Sequence, residues 1–180
     1  MHAQQSLAMY YSGVGEFEKA ISKFEVTILK AREVGDFRRA EEAVMFLSMV
    51  YFLQGTSEDI LTQGTFTRAM RLVNEAIASA NQRGDTQLHV LALTFRARLF
   101  SAQQDALAME ESLEMIENSF KNRTAVLKDV SANLLYNALW ARLHLEKGEL
   151  SAAYNYATQL EDLLRTTEPT TFFSMDCYQR

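Results

Sequence analysis

The sequence predicts an all-α chain: an α-solenoid of antiparallel helix pairs in about four units, with residues 1–180 forming one helical-repeat domain. Three observations lead there. The chain holds one Pro and seven Gly, so breakers are too few for a meander of short strands and the elements must be long. In the first unit Gly is followed by an aromatic residue two later, Ala five later and a large apolar residue nine later, and the same spacing recurs along the chain. It reads Gly15, Phe17, Ala20, Phe24, then Gly64, Phe66, Ala69, Val73, and then Gly148, Leu150, Ala153, Ala157, with a weaker copy at Gln103, Asp105, Ala108, Ser112. Finally, a second marker follows each of these by twenty residues: Gly35-Asp36, Gly84-Asp85, Arg123-Thr124 and Glu168-Pro169, pairs that carry a breaker or a capping residue.

Each element follows from this register. A short helix is expected near 2–12 with its partner at 16–34, then 36–54 with 65–83, 85–102 with 105–121, and 124–147 with 149–166. Gly gives the tight turn between antiparallel helices, the apolar residue two later plugs it, and the small Ala lets the helix axes approach closely. Phe17, Ala20, Ile21, Phe24, Ile28 and Ala31 form one helical stripe, which reads as core. The first helix of each pair is expected to be longer and apolar on more than one face. In the last pair, Leu127, Val130, Leu134, Ala138, Ala141 and Leu145 form one face and Leu135, Leu139 and Leu143 another. Residues 55–64 are expected as the longest loop, an insertion at one edge of the stack. The units then fall near 1–34, 35–83, 84–122 and 123–167, and Pro169 to Arg180 (with Phe172, Phe173, Met175 and Tyr178) starts a further helix.

Bulk chemistry narrows the function. A chain of this length buries roughly 70% of its unfolded surface, enough for a sizeable core. A net charge of −5 argues against a nucleic-acid partner, which a basic face would attract. Cys177 is the single cysteine and forms no internal disulfide, which fits a reducing, cytoplasmic or nuclear setting. No secretory start and no apolar run of membrane-spanning length is visible, so no membrane partner is expected and the Asn122-Arg123-Thr124 sequon reads as chance.

Nor does the sequence assemble a reaction centre. His2, His89 and His144 lack metal-ligand spacing, and Glu110, Glu114 and Glu117 on one helical face read as a solvated acidic stripe. No phosphate loop, nucleophile elbow or zinc-protease motif occurs, so neither catalysis nor a cofactor or metal is expected.

The first unit, with Leu7, Ala8, Tyr11, Gly15, Phe17, Ala20 and Phe24, resembles the tetratricopeptide repeat, as does Gly64–Ala76. The turn positions are 49, 39 and 45 residues apart, against the usual 34, which marks a divergent, long-helix variant across essentially the whole chain. Segments such as Ala80-Asn81-Gln82-Arg83-Gly84-Asp85 and Leu145-Glu146-Lys147-Gly148-Glu149-Leu150 resemble the helical arrays of soluble-type class III adenylyl or guanylyl cyclases and of some bacterial transcriptional activators. That resemblance implies a regulatory segment of such a parent.

The repeat resemblance implies a non-catalytic scaffold for a protein partner or for a neighbouring domain of a larger parent. Of the positions matching the family's carboxylate-gripping set (Gln5, Met9, Arg39, Ala43, Leu88, Ala92, Leu127 and Ser131), Arg39 alone carries a suitable cation. The face is therefore expected to be apolar, suited to a helix or a domain, with Tyr51, Phe52, Tyr136 and Trp140 standing either as anchors or as core. Neither end shows a polar capping helix, so the chain is expected to be a fragment or isoform of a longer array, or to oligomerise through its ends.

Overall fold

Every turn that can be followed from one helix into the next uses the same short joint. In Val14-Gly15-Glu16, Val34-Gly35-Asp36, Arg83-Gly84-Asp85, Gln103-Gln104-Asp105 and Lys147-Gly148-Glu149, the middle residue has left-handed backbone and the third is acidic. The middle N–H donates to the carbonyl three residues back at 3.1–3.3 Å, and the acid's N–H to the carbonyl five back at 2.8–3.0 Å. This double closure is a Schellman motif, which satisfies two carbonyls that a helix end leaves open. Gly35, at φ +73°, shows why glycine suits the joint: a Cβ there would strain the backbone itself. Gln104 occupies the same region at φ +59°.

These joints organise a computed structural model that describes residues 2–57, 63–122 and 130–166. The described residues form eight α-helices and no strand: α1 (His2–Gly13), α2 (Phe17–Glu33), α3 (Phe37–Ser57), α4 (Gln63–Arg83), α5 (Thr86–Ala102), α6 (Ala106–Asn122), α7 (Val130–Glu146) and α8 (Leu150–Thr166). None of these helices is long and apolar enough to cross a membrane.

The chain divides into two compact units, residues 1–95 and 96–180, with the division falling inside α5. In the first unit, α1 packs on α2 and α3, α2 on α3, and α3 on α4. Its core joins Ala8, Ala20, Phe24, Ala43, Val44, Leu47, Val50, Leu72, Ala76 and Ala92, and the Phe24 and Phe46 rings stack at 6.1 Å. Five alanines in that cluster give the helices their close approach. In the second unit, α6 packs on α7 and α7 on α8. Met109, Leu113, Ile116, Leu143 and Ala153 are buried there, together with Trp140.

Several expectations are corrected. Gly64 makes no left-handed turn: it lies in the first turn of α4 with helical backbone, where any residue can continue the chain. Gly55 is buried inside α3, so the helix runs through it instead of breaking into a loop; residues 58–62 of that expected loop lie outside the described residues. The third copy of the motif slips by one position. Its turn residue is Gln104, and the place of Ala20 is taken by buried Met109, so small size is not required at every joint. First helices are not systematically longer, since α3 and α4 have 21 residues each and α5 and α6 have 17 each. Leu127, the Arg123-Thr124 and Glu168-Pro169 pairs, Cys177 and the expected helix at 169–180 lie outside the described residues.

Candidate functional site

The acidic residue of each joint decides the local chemistry. Where it is Asp, its carboxylate caps the next helix: Asp36 Oδ1 accepts from Arg39 N–H, Asp85 Oδ1 from Leu88 N–H and Asp105 Oδ1 from Ala108 N–H, at 3.1–3.2 Å. Where it is Glu, the extra methylene carries the carboxylate past that N–H to a cationic or imidazole neighbour. Glu16 Oε2 lies 2.5 Å from Lys19 Nζ, and Glu149 Oε2 lies 2.5 Å from His144 Nδ1.

The five residues expected as partner contacts fall in two places. In the first unit, Arg39 is in the opening turn of α3, half-buried, with Nε 3.7 Å from Asp36 Oδ2, so its charge is engaged within the joint. Tyr51 is half-buried under the Arg68 guanidinium, which sits 5.8 Å from the ring centre, while Phe52 is buried in the core. Nearby charges are also internally matched. Glu41, almost wholly buried, faces Arg83 at 3.7 Å, and Arg38 reaches Glu42 and, at 3.8 Å, Asp85.

In the second unit, Tyr136 and Trp140 belong to a layer that sequence reasoning saw only in part. Tyr136, Trp140 and His144 recur every four residues on α7 and therefore share a face. Tyr156 of α8 completes the set: the centroids are 5.2 Å apart for Trp140 and His144, 5.7 Å for Trp140 and Tyr156, and 5.4 Å for His144 and Tyr156, with planes within 19° of parallel. Three nearly parallel rings with three similar separations cannot be a column, whose outer members would be twice as far apart. They form an offset layer, in which one ring overlies the seam between two others. Tyr136 meets Trp140 edge-on at 82°.

The layer is pinned by carboxylates. Tyr136 donates its O–H to Glu117 Oε1 at 3.2 Å. Burial, and then the negative charge of Glu117, push the Tyr136 hydroxyl well above the usual tyrosine range, the Trp140 indole pulling weakly the other way. The same two causes raise Tyr156. Lys147 binds Glu110, and that hydrogen bond raises its pKa. Two members of the expected acidic stripe are thus committed, Glu117 to Tyr136 of α7 and Glu110 to Lys147 in the joint that follows it; Glu114 is exposed. The signal that finds His144 and Glu117 is the four-residue ring spacing on α7 opposite an acid spacing of three and four on α6.

Outward-facing apolar side chains are plentiful: Tyr10 on α1, Leu29 on α2, Leu107 and Met115 on α6, and Leu150 and Tyr154 on α8, with Tyr154 73% exposed. Among the described residues, no three His, Cys, Asp or Glu side chains converge where a metal ion could be held. The chain matches no protein-family model and no curated protein.

Proposed function

We propose that this chain is a tetratricopeptide-like interaction scaffold that presents helix faces to a protein partner or to a neighbouring domain. The observation that carries the reading is the five-fold use of one closed joint between helices, joined to large apolar side chains left outward on α1, α2, α6 and α8. Such joints leave little slack between the helices they connect, the buried aromatic and acidic groups are committed to packing, and apolar side chains in water favour docking. Phe52 and Trp140 then act as supports beneath the surface, whereas Leu150 and Tyr154, one helical turn apart on α8, act as contacts.

The test is affinity capture from lysate with the purified chain, alongside a Leu150→Glu/Tyr154→Glu variant checked for unchanged helicity. Specific capture of a protein by the wild type that the variant loses supports the scaffold. Identical recoveries from both chains count against α8 as the docking face, and the absence of any specific capture counts against the scaffold itself.

A further inference from the structure

Arg96, in α5, is half-buried, a setting in which arginine ordinarily meets a carboxylate. Its guanidinium instead donates from Nε to Ser112 Oγ at 3.1 Å and from Nη2 to the Met115 thioether sulfur. Both acceptors are neutral, and a thioether is a weak one. Among the described residues no carboxylate stands within ion-pair distance of Arg96; Glu111 acts on it only through space. Burial accordingly lowers the Arg96 pKa. A stronger acceptor at the sulfur position would therefore give Arg96 a better partner than the thioether.

Met115 is also open to reagents. It is 41% exposed, whereas Met45, Met49 and Met109 are 0%, 4% and 1% exposed. Met9 and Met70 are half-buried. Oxidation of methionine follows access to the sulfur, and it turns an apolar thioether into a sulfoxide with a strongly accepting oxygen.

We propose that Met115 is a modification site for a peroxide-class oxidant and that Arg96 is the residue that holds the product sulfoxide. In the step, the sulfur lone pair attacks one peroxide oxygen and the O–O bond breaks. Sulfur is oxidised by two electrons, the second oxygen leaves as water with both peroxide protons, and an S–O bond forms. An Arg96 N–H that had been spent on a thioether then donates to the sulfoxide oxygen. A charged donor to an accepting oxygen is a stronger bond than the one it replaces. The α6 surface from Leu107 to Met115 becomes polar at one point while the helix pair stays closed. This is the reverse of the usual outcome for methionine oxidation in a packed region. The proposal does not depend on the scaffold reading.

The full chain is treated with hydrogen peroxide, oxygen incorporation is mapped by peptide mass spectrometry, and melting is followed by circular dichroism. Met115 is expected to oxidise about tenfold faster than Met45, Met49 and Met109, in line with access to the sulfur. A Met115→Leu chain given the same dose reports the effect of all other methionines. After that correction, oxidation does not lower the wild-type melting temperature, but it lowers that of Arg96→Gln by about 3–12 °C, the shift produced by the loss of one charged hydrogen bond. Arg96→Lys, which keeps the charge on a single donor nitrogen, falls between and serves if Arg96→Gln does not fold. Oxidation of Met115 no faster than of the buried methionines overturns the site. Equal melting losses in wild type and in the Arg96 variants overturn the role of Arg96.

Discussion

The two units close their helix pairs with different materials. The first is packed by five alanines and the Phe24–Phe46 stack, with Tyr11 and Tyr51 only at the margin of that core. The second uses rings with polar edges: Tyr136 held by Glu117, and His144 held by Glu149 while stacked on Trp140 and Tyr156. A phenylalanine in a core asks only for volume. A tyrosine or histidine asks also for a partner at its edge, because an unsatisfied polar group in a buried place costs about 1–3 kcal/mol. The second unit therefore fixes the rotation of α7 against α6 and α8 by chemistry as well as by shape. The first relies more on how closely backbones can approach, with Ser48 Oγ donating to the Ala69 carbonyl as a buried polar tie between α3 and α4.

That contrast can be broken at graded strengths. Trp140→Ala removes the ring that meets Tyr136, His144 and Tyr156 and should destabilise the second unit by about 3–5 kcal/mol. The readout is hydrogen exchange along α7 and α8, and a loss under 1 kcal/mol would mean that the layer is ornamental. In the first unit the opposite change is the damaging one. Ala43→Leu, at a fully buried position, should cost about 1–3 kcal/mol by overpacking, measured by urea unfolding.

Titration probes the polar edges. Because Tyr136 and Tyr156 have raised pKa values in the fold, the unfolded chain loses those protons first, near pH 10. Stability from these hydroxyls is whole below about pH 10 and declines as pH rises above it, and Tyr136→Phe should flatten that decline in a series of melts. The smallest effect distinguishes the joints. Asp85→Ala should cost about 1 kcal/mol through its lost cap, whereas Glu149→Ala, whose carboxylate pairs sideways with His144, should cost under about 1 kcal/mol.

The all-helical class and most of the helix boundaries were legible because helix joints are local. Gly15, Gly35, Gly84 and Gly148 announce themselves by type, and apolar periodicity supplies the helices between them. Gln104 was misplaced by one residue because a non-glycine in left-handed backbone leaves no signature in composition. Gly64 misled in the other direction, since a glycine permits a left-handed turn without requiring one. Of the expected contact residues, Phe52 and Trp140 are buried, and apolar periodicity alone does not say which aromatic on a many-sided apolar helix points inward. The layer around Trp140 was only half legible. Spacing on α7 shows three rings on one face, but Tyr156 and Glu117 join through tertiary packing that no local pattern encodes.

The shared acid of each joint also governs how such a chain can change length. Asp36 closes α2 through its backbone N–H and opens α3 through its carboxylate, so one residue serves both helix ends. One inserted residue would turn the following helix by about 100° and carry its apolar face away from its neighbour. A single insertion at such a joint would therefore cost packing, and the twenty-residue interval recurs from Gly15 to Gly35 and from Gly84 to Gln104. Length variation in relatives of this chain should accordingly arrive in whole helical turns, or at connections built in some other way.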